Sequence, residues 1–423
     1  MSDEPRSPYP SSADPPDPFL HLYTERARQQ QASSIREICK LGARPEVRSL
    51  AGGWPAPGTF PVEEVAEIAR DVLASRGPDA LQYCQTEGVT ALRDAMARWA
   101  SDKLGIPATR DHILITHGSQ QGMDLIFRVL VEPGDVVLCG LPTYFGATGA
   151  VSALGGRLVG IPVDQDGLDA EAAAVRLEEL RAEGARPKGI YIIPSFQNPA
   201  GVALSLARRQ RLLALAKEHD LLIIEDDPYG ELRFDGQPIP CCKALERAAG
   251  AEGRVVHIHS LSKTFAPGLR LAWVAADPGV VRRMVVAKQY VDTCTNTFGQ
   301  YLLLEFVSRG LLERQIEANI AYYRGQRDAL LSSLDRHFPS DRVRWNRPEG
   351  GLFVLVHLPE GMDADALSRE ALAHNVAFVS GAQFHHDGSG KNTFRLSFSQ
   401  SSPEVMEEAV ARIGALIRAK LGA

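Results

Sequence analysis

The sequence offers nothing for a membrane: no apolar run approaches the roughly 18 residues that a bilayer-crossing helix needs. The N-terminus lacks a basic stretch followed by an apolar one, so no secretory signal is expected. Positive charge is not in excess either. With 46 Lys and Arg against 52 Asp and Glu the formal net charge is −6, and the basic field that nucleic acid or anionic lipid requires is missing. Cysteine is sparse and scattered: Cys39, Cys84, Cys139, Cys241, Cys242 and Cys294 include no C-x-x-C spacing. That excludes a disulfide framework and a zinc site, so no metal is expected, and the thiols read as reduced groups of a cytoplasmic protein.

What is there suits a globular enzyme. At 44% hydrophobic and 23% charged, the 423-residue chain can bury an ample core, and its length exceeds one ordinary domain. Residues 1–19 hold six prolines, four acids and a single Arg, which predicts a flexible arm. The segment Ala32–Leu41 reads as a short amphipathic helix capped near Ser33 or Ser34, and the Gly/Pro-rich passage Leu50–Pro61 as loop. Seven short β-rich runs follow: Ile113–Thr116, Val136–Cys139, Arg157–Ile161, Gly189–Ile193, Leu221–Ile224, Val255–His259 and Leu271–Val274. Helical stretches such as Gln121–Val131 and Leu206–His219 alternate with them. Continuous apolar strands alternating with helices predict a mostly parallel sheet covered on both faces. A long amphipathic region from Pro278 to Leu334 leads to strand-like runs at Gly351–Leu358 and Thr393–Ser399 and a helix from Pro403. The expected organisation is an arm (1–31), an N-terminal part of a small α+β domain (32–61), a large α/β domain (62–309) and the rest of the small domain (310–423).

In such sheets ligands sit beyond the carboxyl ends of the strands, so the polar residues just after each strand are informative. Ile113–Thr116 runs into His117-Gly118-Ser119-Gln120 and a helix, which is either a plain turn or an anion cup at a helix N-terminus. Leu221–Ile224 ends in Glu225-Asp226-Asp227-Pro228-Tyr229, either a solvated turn or a carboxylate for a cationic ring nitrogen. Val255–His259 ends in Ser260-Leu261-Ser262-Lys263, with Arg270 seven residues on, which suits a sheltered amine beside a phosphate. Asn198 follows Gly189–Ile193. Arg395 stands within the apolar run Phe394–Leu396 and needs a carboxylate partner, structural or substrate.

These residues resemble a family. The segments SSIREICKL, LAGGWPAPGTFP, LQYCQTEGVTALRDAM, THGSQQGMDL, PTYFGA, DQDGLD, SFQNPAGVALS, EDDPYGELRF, SLSKTFAPGLRLAWV and FRLSFS, in this order from about Ser33 to Ile417, are similar to those of fold-type I pyridoxal-phosphate (PLP) enzymes. Within that superfamily, which includes aspartate aminotransferase, the nearest likeness is to the 2-aminoadipate and kynurenine aminotransferase-like group. The resemblance implies a seven-stranded PLP-binding domain and an amino-group exchange between an L-amino acid and a 2-oxo acid. It implies that Lys263 carries the cofactor as a Schiff base and moves the Cα proton, and that Asp226 pairs with the pyridine nitrogen. Asp227 competes for that role, but the spacing to Tyr229 favours Asp226. Asn198 and Tyr229 would bond the phenolic oxygen, and Tyr144 would stack on the ring. Gly118, Ser119, Gln120, Ser260, Ser262 and Arg270 would surround the phosphate, with Tyr83 reaching that of a neighbouring subunit in a homodimer that shares its active sites. Arg395 would grip the substrate carboxylate beside Asn198, Gly53 would approach the substrate by its backbone, and Arg36 would meet the distal group.

Two segments depart from the family's pattern: Trp54 follows Gly52-Gly53 where a smaller apolar residue is usual, and Asp292–Gln300 (DTCTNTFGQ) has an unusual spelling. The same apparatus also runs decarboxylation, elimination and carbon–carbon bond formation, so a PLP lyase or carbon–carbon bond-forming enzyme is the alternative. A regulator with an N-terminal DNA-binding module is disfavoured, because only about 32 residues, proline-rich and acidic, precede the first family motif.

Overall fold

The computed structural model describes residues 17–29 and 34–422. Most of the expected arm, and Ala32 and Ser33 of the first expected helix, therefore lie outside the described residues. A 3-10 turn at Leu20–Leu22 and a short helix at Glu25–Gln29 occupy what is described of the arm. The amphipathic helix spans Ser34–Gly42, and its apolar stripe of Ile35, Ile38 and Cys39 is buried at the i, i+3, i+4 spacing.

The chain divides into two compact units. One comprises Trp54–Arg324 with Glu349–Gly351. Its strands, in chain order, are β1 (Ile113–Thr116), β2 (Val136–Leu141), β3 (Arg157–Asp164), β4 (Gly167–Leu168), β5 (Pro187–Ile192), β6 (Leu222–Asp227), β7 (Val255–Ser260) and β8 (Ala272–Ala275). Among the described residues they form one sheet in the order β1-β8-β7-β6-β5-β2-β3-β4. The five strands β3, β2, β5, β6 and β7 run parallel. Seven of the eight correspond to the predicted runs. The eighth, β4, is a two-residue antiparallel return after β3, too short to leave a periodic signal.

Strand β8 pairs antiparallel with both β7 and β1. Its reversal gives β1 the direction of β7, so the carboxyl ends of β1, β2, β5, β6 and β7 share one sheet edge. Alternation sorts side chains between the faces. Ile190, Ile192, Ile223 and Val255 pack on one face with Leu177 and Leu180 of the helix Ala170–Ala182 and with Leu212 and Leu213 of Leu206–Glu218. Tyr191, on the other face, lies 6.4 Å ring to ring from Phe127 of the helix Ser119–Leu130.

The second unit comprises the described residues of Met1–Gly53, with Gly325–Pro348 and Leu352–Ala423. An antiparallel sheet runs Arg344–Trp345, Phe353–His357, Thr393–Ser397, Val379–Ser380, beside a parallel pair of Arg48–Ser49 with Val376–Ala377. The helix Pro403–Leu421 starts where Ser402 accepts from the Val405 N–H and Pro403 supplies a first-turn residue that needs no donor. The divisions fall at Gly53 and, within the helix Leu311–His337, at Arg324.

Candidate active site

The three consecutive acids at the end of β6 are separated by the pleat. Glu225 and Asp227 point to one face and Asp226 to the other. Glu225 is fully buried and satisfied: it accepts from the backbone N–H groups of Cys242 (2.6 Å) and Lys243 (3.2 Å) and lies 2.9 Å from His257 Nδ1. Burial raises its pKa, but the bonds from His257 and the backbone outweigh that and hold it below the ordinary value. Glu225, Cys241 and His257 come together here in a buried group, with the carboxylate already committed to these donors. On the same face His259 stacks on Trp273 at 4.7 Å and bonds Glu231 at 3.1 Å. The acids are thus not a solvated turn.

Asp226 stands alone on the other face. Its Oδ2 accepts the Tyr191 hydroxyl at 2.9 Å, and its Oδ1, buried, has no hydrogen-bond partner among the described residues. Burial pushes its pKa up to about 7, with the neighbouring Asp227 charge adding and the Tyr191 bond opposing. A buried carboxyl oxygen without a donor is costly unless a cationic group comes to it.

An anion cup lies at the start of the helix Ser119–Leu130. Gly118 caps it at φ 75°, and a side chain there would run into the Arg270 guanidinium. Arg270 itself is held in the left-handed region at φ 54°, a strain tolerated where a side chain must be aimed. Its Nη1 donates to Ser262 Oγ (3.5 Å), and the Ser262 N–H donates to Ser260 Oγ (3.3 Å). A helix N-terminus, hydroxyls and a guanidinium therefore meet at one place. Gln120 donates to the Gly146 carbonyl at 2.9 Å and accepts from the Tyr144 hydroxyl at 3.4 Å, tying the cup to the loop after β2.

Lys263 is half-buried beyond β7, as expected of a residue leaving an apolar strand. Asn319 donates to the Lys263 carbonyl at 3.3 Å, and Phe265 packs on Phe306 at 4.4 Å, so the backbone at the lysine and just after it is held. Asn198 and Tyr229 are buried at the same edge. Gln197 donates to the Pro142 carbonyl at 2.7 Å and joins the loops after β5 and β2. Tyr83 is 78% exposed. Sequence reasoning missed Tyr191, Gln197 and Asn319. A tyrosine within the otherwise apolar GIYII run is the only one of the three with a visible signal.

In the other unit Arg395 is buried on its strand, with its guanidinium over Phe353 (4.3 Å) and Phe384 (5.0 Å) and Nη2 bonded to the Ala51 carbonyl. A Cβ on Gly53 would lie 2.8 Å from the Phe353 ring, so no side chain fits there. Arg36 is exposed on Ser34–Gly42.

A mixed, mostly parallel sheet with an amine, a buried carboxyl keeping one oxygen unpartnered among the described residues, and an anion cup along one edge is the arrangement of a fold-type I PLP enzyme, and the residues fit that cofactor. Its ring nitrogen can bring the cation that Asp226 Oδ1 lacks, and its phosphate the dianion the cup would hold. The family model described as aminotransferase class I and II matches residues 51–413, and the chain belongs to that family. It is a PLP-dependent aminotransferase. The chain is 43% identical to an aromatic-amino-acid aminotransferase of Thermococcus litoralis over 95% of each chain. It is 42% identical to the 2-aminoadipate transaminase of Thermus thermophilus, over 95% of this chain and 98% of that one. A crystal structure of kynurenine aminotransferase from Pyrococcus horikoshii, 40% identical, superposes with a TM-score of 0.92 over 96% of this chain and 99% of its own. Among the described residues no helix is long and apolar enough to cross a membrane.

Proposed function

We propose that this aminotransferase moves the amino group of an aromatic or long acidic L-amino acid to a 2-oxo acid, using Lys263 as its covalent anchor and proton carrier. The reading of the residues rests on one observation, the buried Oδ1 of Asp226 left without a donor one strand away from the Lys263 loop. The substrate class rests on the relatives, which are named for aromatic amino acids, 2-aminoadipate and kynurenine. PLP, when bound, supplies an aldehyde for the amino group and a protonated ring that withdraws electrons from the substrate's α-carbon.

The protein's own groups do the rest. Asp226 Oδ1 holds the proton on the ring nitrogen, and Tyr191 holds Asp226. Asn198 and Tyr229 donate to the ring's phenolic oxygen, while Tyr144 covers a ring face. The Gly118–Gln120 backbone, Ser260, Ser262 and Arg270 hold the phosphate. Lys263 Nζ takes the proton from the substrate's α-carbon and returns one to the product; a lysine suits this because neighbouring charge and burial lower its pKa readily. Arg395 forks onto the α-carboxylate, Gly53 leaves room for the substrate's backbone atoms, and Arg36 meets an acidic distal group. The enzyme works as a cytoplasmic homodimer in which Tyr83 reaches the partner subunit's phosphate. The exposure of Tyr83 together with Leu81 (74%) and Tyr290 (88%) supports that assembly.

Borohydride reduction of the yellow holoprotein followed by peptide mapping is expected to leave a phosphopyridoxyl group on Lys263. Labelling elsewhere overturns the residue assignment. Titrating the holoprotein spectrum with an amino-acid panel tests the substrate. Aromatic amino acids and 2-aminoadipate should bleach the absorbance and yield the matching 2-oxo acids; released CO₂ or a new carbon skeleton would instead favour lyase or bond-forming chemistry.

A further inference from the structure

The segment Asp292–Gln300, whose spelling departs from the family's pattern, has no part in the roles above, yet it clasps the end of β1 from which the anion cup springs. Thr295, fully buried, donates its hydroxyl to the Ile115 carbonyl at 3.1 Å. Just past β1 the clasp is repeated through a side chain. The His117 N–H donates to Gln121 Oε1 at 2.8 Å, and Gln121 Nε2 donates to Asp292 Oδ2 at 2.7 Å. The other oxygen of Asp292 accepts from the Lys288 ammonium at 2.5 Å. Lys288 stands in the last turn of the helix Pro278–Gln289 and its side chain is wholly buried, a place a charged amine keeps only with a partner.

The backbone leaves the Asp292 carboxylate little freedom. Its N–H donates to the Lys288 carbonyl at 3.1 Å, and its carbonyl accepts from the Cys294 N–H at 2.7 Å. Thr293 between them holds φ 65°, a left-handed conformation rare for a β-branched residue, so the turn is specified by its surroundings.

The chemistry of an amide then settles what Gln121 can do. A carboxylate only accepts, so Asp292 draws the NH₂ end of the amide and leaves the carbonyl end for the His117 N–H. The loop closed by that bond contains Gly118, Ser119 and Gln120, the three residues whose backbone forms the cup. Among the described residues no side chain caps the helix Ser119–Leu130. In a capping box its third residue, Gln121, would turn back to the Gly118 N–H. Here that N–H goes to the Thr116 carbonyl at 2.9 Å, and Gln121 reaches one residue further. The loop is held from behind, and the first N–H groups of the helix face an anion site. Gly118 lies against the Arg270 guanidinium, so a shift of this loop would move the cup relative to its cation.

We propose that Asp292 and Lys288 are positioning residues for the cofactor's phosphate: Lys288 fixes Asp292, Asp292 orients Gln121, and Gln121 holds the His117–Gln120 turn at the separation from Arg270 that a phosphate fits. The proposal rests on the reading that the Gly118–Gln120 backbone and Arg270 bind that group. Neither residue touches the cofactor; both act through the amide. Asp292→Ala frees the amide to turn and strands a buried ammonium, whereas Gln121→Leu breaks the same chain and leaves the ion pair in place.

The test compares dissociation constants of PLP and of pyridoxal, the same aldehyde without the phosphate, by absorbance titration of the full-length apoprotein. A variant that merely loosens the fold weakens both ligands alike, so the ratio of the two constants isolates the hold on the phosphate. Wild type should prefer PLP strongly, and Arg270→Ala should lose most of that preference. In Asp292→Ala and Gln121→Leu the preference should fall by about tenfold or more, the scale of one hydrogen bond to a charged group. Should the stranded Lys288 prevent Asp292→Ala from folding, Lys288→Met combined with Asp292→Leu removes both charges at similar volume and is expected to show the same fall. An undiminished preference in Gln121→Leu and in the double variant, with Arg270→Ala impaired, overturns this inference alone. A wild type indifferent to the phosphate, or an Arg270→Ala variant that keeps the preference, overturns the reading of the cup and the inference with it.

Discussion

The hydroxyl of Tyr191 and the carboxyl of Asp226 meet at 2.9 Å across two adjacent parallel strands, and that bond leaves the other, buried carboxyl oxygen without a hydrogen-bond partner among the described residues. Register makes the meeting possible. Tyr191 pairs with Ile224, so its side chain emerges on the same face as Asp226, two residues on. One oxygen is fixed by the protein, and in the function proposed above the other is the one offered to the ring.

Replacing Asp226 by Ala removes one partner of a buried charge pair, a loss of roughly 3–5 kcal/mol. At about 1.4 kcal/mol per factor of ten, kcat/KM should fall by two to three orders of magnitude or more. Steady-state kinetics at saturating PLP checks this.

Without cofactor the same carboxyl is a burden that depends on pH. The folded apoprotein keeps the Asp226 proton up to about pH 7, against an ordinary value of 3.8 in the unfolded chain. Between these values the folded state binds more protons, so stability falls as pH rises through that window, by on the order of 4 kcal/mol from this group. Denaturant unfolding of apoprotein at pH 5 and pH 8 spans about two units of that window and should show roughly 3 kcal/mol of the loss in wild type and much less in Asp226→Asn.

Tyr191→Phe deletes the one hydrogen bond that opposes the upward shift. A bond to a charged group contributes about 1.5–3 kcal/mol, so the Asp226 pKa should climb by roughly one to two units. Because a protonated Asp226 no longer neutralises the ring cation, PLP affinity measured against pH should begin its acidic decline at higher pH than in wild type. An unmoved acidic limb would remove Tyr191 from the site.

In the other unit Gly53→Ala places a methyl group 2.8 Å from the Phe353 ring, over which the Arg395 guanidinium lies. Overpacking of this kind costs about 1–3 kcal/mol of stability, and displacement of Phe353 disturbs the guanidinium above it. Thermal unfolding should register the first effect, and a raised KM for both amino and oxo substrates, with kcat less changed, the second.

Much of this was legible in the sequence. Lys263, Asp226, Asn198 and Ser119 can be singled out as candidates because each follows an apolar run, and the carboxyl end of a buried strand is where polar residues have a reason to be. The helices predicted at Gln121–Val131 and Leu206–His219 appear at Ser119–Leu130 and Leu206–Glu218, because their apolar periodicity matches the face they bury. Tyr191 was only half legible: the GIYII run shows a tyrosine among apolar residues, but its role has the appearance of packing until the neighbouring strand's register is known. The same holds for Glu225 with His257, whose partnership exists only across β6 and β7. Asn319, 56 residues from the lysine whose carbonyl it holds, is placed by tertiary structure and leaves no spacing to read.

The alternation along β6 has a consequence for how this strand can change over evolutionary time. Adding or deleting one residue between Leu222 and Asp226 would rotate the whole acidic triplet. An acid meant for the histidine layer would then take the face now held by Asp226, and Asp226, the carboxyl proposed for the ring cation, would be driven among the leucines behind the sheet. Substitutions can be absorbed here one at a time, but a change in length cannot, so divergence in this stretch is confined to swaps of side chain at constant length.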